Sequence, residues 1–149
     1  MANQSKTAAE NRNRILIERF YHELWDRFDK ALIPVLLTED VRFRGSLGQN
    51  KNGHAGFAEY IDFVRRAFPD FSSEIEEMIS EGDKAFARLT YRGTHRAEIF
   101  GIAPTSRRIQ YAGAAVFSFR DDKIREVWVL GDIHGLLAQL RGAAPRDVA

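Results

Sequence analysis

Apolar residues recur at two different periods along this chain, and the change of period divides it in half. From 8 to 27, Ile15, Leu16, Ile17, Phe20, Tyr21, Leu24 and Trp25 recur at helical spacing. Residues 29–37 read as a second, shorter helix with Asp29 at its N-cap. A short strand, EDVRFRG, follows, and then a helix over 54–68 with Phe57, Tyr60, Ile61, Val64 and Phe68 on one stripe, ended by Pro69. Beyond Phe71 the period falls to two. Strands are expected at about 72–80, 84–95, 107–119 and 123–131, with Glu81-Gly82-Asp83 and Arg120-Asp121-Asp122 as turns and a short helix at the end. Helices first and strands later predict an α+β domain, with the helices on one face of a curved antiparallel sheet. One face of the 107–119 strand is reduced to Gly113 and Ala115, which predicts a cavity beneath it.

Composition narrows the function classes. The 149 residues suit a single domain over 1–149, with flexible ends at about 1–9 and 142–149. Lys plus Arg is 22 against 21 for Asp plus Glu, which gives no electrostatic case for nucleic acid or an anionic membrane. The absence of cysteine removes thiol chemistry and thiolate metal sites. The polar opening MANQSKTAAENRN lacks the apolar centre of a secretion signal, and a cytoplasmic location is the expectation. No phosphate-binding glycine loop and no ligand-spaced His or carboxylate set is present, so neither cofactor nor metal is expected.

Several segments also carry a resemblance. GTH at Gly93–His95, GIAPT at Gly101–Thr105, DDKI at Asp121–Ile124, the closing GD..GLL.QL and GHAGFAEYIDFVRRAFPDF at Gly53–Phe71 are similar to the SnoaL-like polyketide cyclases of the NTF2-like superfamily. The likeness spans about residues 15–141. It implies a cone-shaped fold, a homodimer, and a cofactor-independent enzyme acting on a hydrophobic, polyketide-like or polycyclic small molecule, as cyclase or hydroxylase, by acid/base catalysis. A non-catalytic binding protein or a dimeric scaffold on the same fold is the alternative. The chain departs from the family at its centre. The position of the cyclase's catalytic acid holds Val129, and the two polar cavity positions hold Gly113 and Ala115. Of the Asp-Arg-Asp set of the related epoxide hydrolases only Arg88 is retained; Thr90 and Val129 replace the carboxylates.

With position 129 taken as inward, alternation assigns the faces. Val127, Val129 and Gly131 point in, while Trp128 and Leu130 point out and offer a dimer face. Tyr111, Gly113, Ala115 and Phe117 point in, as do Val41 and Phe43. In the 84–95 strand the inward set is expected to be Phe86, Arg88, Thr90 and Arg92, which leaves His95 outward unless a bulge intervenes. The catalytic candidates are Asp132, with a helix cap as its plain reading; Arg88, with an internal bridge to Glu77 or Asp132 as its plain reading; and His134 and His54 as reserve bases. The expected ligand-binding set is Tyr21, Phe43, Tyr60, Thr90, Tyr111, Gly113, Ala115, Val127 and Val129. An open cavity with an unpaired Arg88 favours a ligand; a cone packed shut by Tyr60, Tyr111 and Phe43 favours a scaffold.

Overall fold

The first helix and one outer edge of the sheet are stitched together by hydrogen bonds. The computed structural model describes residues 2–145; Met1 and residues 146–149, parts of the two ends expected to be flexible, lie outside the described residues. Helix α1 (Ala2–Arg19) begins inside the expected N-terminal arm and runs directly into a π-helical turn, Phe20–Trp25. There Asp26 N–H donates to Tyr21 C=O at 2.9 Å. The wider turn brings both residue pairs, Phe20–Tyr21 and Leu24–Trp25, to the buried side at once. A 3-10 turn (Lys30–Leu32) and α2 (Ile33–Leu36) occupy the second helical stretch. Asp29 precedes them, but its side chain makes no capping bond.

Strand β1 (Leu37–Arg44), β2 (Asn50–Asn52), α3 (Gly53–Ala67), β3 (Ser72–Glu81), β4 (Lys84–Thr94), β5 (Arg108–Arg120), β6 (Lys123–Gly131) and α4 (Ile133–Leu140) complete the order. The six strands form one curved sheet in the order β2-β1-β6-β5-β4-β3. The expectation of a wholly antiparallel sheet needs one correction: β1 and β6 run parallel, with Phe43 opposite Val127. A parallel neighbour requires a long crossover, and here α3 and the β3–β5 meander supply it. Alternation along a single strand carries no information about its neighbour's direction.

The face of β4 is the second correction. Ala85, Ala87, Leu89 and Tyr91 are the buried set, and Phe86, Arg88 and Arg92 point the other way. The register explains it: Tyr91 lies opposite Tyr111, Leu89 opposite Gly113 and Ala87 opposite Ala115, and directly opposed residues share a face. The same parity buries His95 completely.

Strand β3 is outermost, and helix α1 with the turn after it covers its open edge. Asn13 Nδ2 donates to Gly82 C=O at 3.1 Å, Arg14 Nη1 to Met78 C=O at 3.4 Å, and Ser80 Oγ to Glu10 C=O at 3.3 Å. Asp26 Oδ1 accepts from Ser73 N–H at 2.9 Å. Between helices and sheet lies an aromatic core centred on Trp25, whose ring sits 5.5 to 6.5 Å from those of Phe71, Phe57, Tyr60 and Phe43.

Candidate functional site

The cone narrows to a cavity between the π-turn, α3 and the inner sheet face. Its wall is mostly rings and aliphatic groups: Phe20, Trp25, Phe43, Val64, Phe71 and Val129. Five hydroxyl-bearing residues are close to or in that wall: Tyr21, Tyr60, Tyr91, Ser46 and Ser73. The cavity is small, with a volume of about 20 Å³, room for about one water. A two-ring ligand would enter only if side chains of the wall moved aside.

The hydroxyls fall into two groups. At one end Tyr111 Oη and Ser46 Oγ share a hydrogen bond of 2.9 Å, and Leu47 N–H donates to Tyr60 Oη at 3.4 Å. These bonds pin the loop between β1 and β2 across the cone. Gly131 lets that loop close: a Cβ there would stand 2.5 Å from the Ser46 carbonyl oxygen. At the other end Ser73 Oγ is buried without a partner, and Tyr21 Oη has only the Tyr91 hydroxyl beside it, in a hydrogen bond of poor geometry. Tyr91, which lies opposite Ser73 across the β3–β4 ladder, is the group whose hydroxyl influences Tyr21.

All four tyrosines of the chain belong to this cluster. Burial pushes the Tyr60 hydroxyl up to about 12, and it pushes Tyr21, Tyr91 and Tyr111 well above the ordinary tyrosine value. They stay neutral at any physiological pH and act as donors that do not ionise. No carboxylate or imidazole belongs to the described cavity wall.

The sequence-predicted site residues divide sharply. Tyr21, Phe43, Tyr60 and Val129 line the cavity, and Tyr111 reaches its edge through Ser46. Ala115 and Val127 are buried in the core beside it. Gly113 faces inward, but the Tyr91 ring packs over it where a Cβ would stand. The glycine makes room for a neighbouring strand's side chain. Thr90 is on the outer side, buried, with Oγ1 donating to Glu76 Oε1 at 2.8 Å. Glu76 reaches it because β3 bulges between Ile75 and Glu77.

None of the four catalytic candidates lines the cavity. Arg88 is half-exposed on the outer face with Glu77 Oε2 at 3.8 Å. Asp132 caps α4, its Oδ1 accepting from Gly135 N–H at 2.9 Å, and Gly135 leaves the space that the carboxylate fills. His134 is exposed on the same helix. His54 Nε2 donates to Leu37 C=O at 3.0 Å and ties α3 to β1. His95, against expectation, is buried, with Nδ1 accepting from Thr105 N–H at 3.2 Å. As a cap, Asp132 is expected to contribute about 1 kcal/mol. Asp132→Ala should therefore lower the melting temperature by about 2–4 °C and leave ligand affinity within twofold; thermal denaturation and a binding titration check both.

Sequence reasoning missed Phe20, Trp25, Ser46, Val64, Phe71, Ser73 and Tyr91 as wall residues. Trp25 was visible as part of the helical stripe. Tyr91 would have followed from the correct phase of β4. The serines carried no signal, since their roles depend on a loop closure and an edge contact.

Known proteins share this architecture. A protein from Jannaschia sp. CCS1, provisionally assigned as a SnoaL-like polyketide cyclase, superposes with a TM-score of 0.82 at 17% identity, over 91% of this chain and 95% of that one. TsrD from Streptomyces laurentii gives a TM-score of 0.78 at 26% identity over 90% and 97%. AclR from Streptomyces galilaeus, provisionally assigned as a hydroxylase, gives 0.74 at 25% over 93% and 89%. No functionally curated protein matches the chain. The family model described as SnoaL-like polyketide cyclase matches residues 15–140, from the inner half of α1 to the end of α4, and the chain belongs to that family.

Proposed function

We propose that this protein encloses a hydrophobic, carbonyl-bearing, polyketide-like small molecule and polarises its carbonyl oxygen from Tyr21 and Ser73, without a cofactor. This is the electrophilic half of cyclase-type chemistry. One observation carries the reading: two hydroxyls are buried in an aromatic wall, Ser73 Oγ with no partner and Tyr21 Oη with only a loosely placed Tyr91 hydroxyl. A buried polar group left unpaired costs about 1–3 kcal/mol, and a ligand oxygen accepting from both offsets that cost. A neutral donor fixed in a dry wall also gains strength as charge develops on the oxygen in an enol-forming step. The acid/base roles expected of Asp132, Arg88, His134 and His54 have no counterpart in this reading, in which the cavity hydroxyls only donate hydrogen bonds.

The test follows Trp25 fluorescence in a Trp128→Phe background, which leaves the cavity indole as the sole tryptophan reporter. A two-ring aromatic ketone should quench it saturably. Tyr21→Phe should weaken ketone binding by about tenfold, yet leave the melting temperature little changed, because the hydroxyl it removes has only one poorly placed internal partner. Equal ketone affinity in parent and Tyr21→Phe would sink the reading. Chromatographic assay of an aromatic β-keto ester then reports turnover.

A second reading, a non-catalytic dimeric module, draws support from the thin cavity volume and the absence of carboxylate or imidazole from the described wall. Both readings share the dimer. Trp128 is 44% exposed, Leu130 54% and Val116 41%, and Val116 faces Trp128 across the β5–β6 ladder. Such an outward apolar patch is suited to a second copy. Light scattering should return twice the 17.0 kDa chain mass, and Trp128→Glu should return one chain mass at micromolar concentration.

A further inference from the structure

We propose that Asp26 is a positioning residue for the cavity: it holds the π-turn against the edge strand β3 and so sets Tyr21 Oη and Ser73 Oγ relative to each other. This rests on the reading of those two hydroxyls as the ligand's donors. The geometry is direct. Asp26 N–H donates to the carbonyl of Tyr21, and Asp26 Oδ1 accepts from the amide of Ser73, each at 2.9 Å. One residue is thus bonded to the backbone of both donor residues, which are otherwise 52 positions apart and on different elements. Strand β3 has no strand neighbour on that side, so no ladder bond fixes Ser73 there.

The surroundings indicate that the oxygen's position matters more than its charge. His22 Nδ1 lies 3.4 Å from Asp26 Oδ2 on the same turn, and Arg65 of α3 draws on the carboxylate from the other side. Burial nonetheless outweighs both and pushes the carboxyl above its usual range. A carboxylate held where burial disfavours it is explained by the amide it fixes.

The experiment compares 2-acetylnaphthalene with 2-ethylnaphthalene, matched in size and differing in the acceptor oxygen, by calorimetric titration. The parent should prefer the ketone by about tenfold. Asp26→Ala should reduce that ratio to about twofold or less with hydrocarbon affinity little changed, and Asp26→Asn, which keeps the acceptor, should restore it. A general loss of structure weakens both ligands alike, so an unchanged ratio in Asp26→Ala overturns the proposal. Should Asp26→Ala not fold, Asp26→Glu keeps the charge and displaces the oxygen; a parent-like ratio there overturns it equally. A parent without ketone preference, and with no effect of Tyr21→Phe, overturns the underlying reading and this one with it.

Discussion

Raised above pH 10, the protein should ionise its four tyrosines in one step, and that step should coincide with unfolding. Every tyrosine is buried in one cluster, and burial holds each hydroxyl above its ordinary value, Tyr60 up to about 12 and the others also well above the ordinary value. The sign follows from linkage. Below about pH 10 both folded and unfolded chains keep these protons, and the tyrosines do not make stability depend on pH. Above it the unfolded chain releases them and the folded chain does not, so stability falls as pH rises toward the folded values. Each tyrosine contributes at most about 1.4 kcal/mol per pH unit in that window. Four of them remove about 4 kcal/mol between pH 10 and 11, where the unfolded hydroxyls pass from half to almost fully ionised, a large share of the whole stability of many domains. Tyrosinate absorbance and circular dichroism, followed together, should trace a single coincident transition. A tyrosinate signal near pH 10 with the fold intact would show that one hydroxyl meets solvent.

Val129→Asp should be the most damaging single substitution at the site. Val129 is 3% exposed and stands in a wall of rings with no cation among its described members. A carboxylate placed there is desolvated, and its pKa should rise by about 3 units, equivalent to about 4 kcal/mol at neutral pH. A raised acid pKa makes the penalty grow with pH. The variant should approach the parent's stability below about pH 4 and lose ground steadily up to about pH 7. Chemical denaturation at several pH values measures this. Parent-like stability at pH 8 would mean that the wall supplies donors or water to position 129. If instead the penalty appears, an acid at position 129, where the resemblance to the cyclases places one, could be introduced only by also changing the wall around it.

The fold was legible because period is a robust property of a sequence. The switch near Phe71 separates helices from strands, and the four long strands fall within a few residues of their expected limits. Phase is weaker. In β4, two interleaved sets compete: Ala85, Ala87, Leu89 and Tyr91 against Phe86, Arg88, Thr90 and Arg92. The likeness of Arg88 to an epoxide-hydrolase arginine favoured the second set. The plain chemistry, two arginines, a threonine and one phenylalanine against three aliphatic side chains and a tyrosine, favoured the first, and burial followed the chemistry. The π-turn was hidden for another reason: Phe20, Tyr21, Leu24 and Trp25 fit an ordinary helical stripe until the one-residue widening is seen. Ser46 and Ser73 become site residues only through contacts made far away in sequence.

The seam between α1 and β3 bears on how this chain avoids self-association. A ten-residue edge strand with open amides and carbonyls is a template on which further chains can stack. Glu10, Asn13 and Arg14 meet that edge or the turn beside it, and all three precede residue 15, where the family match begins. A chain shortened to start at residue 15 would keep every cavity residue and lose that cover. Its failure would appear first as turbidity and fibrils on storage, with the ligand site still intact in whatever remained in solution.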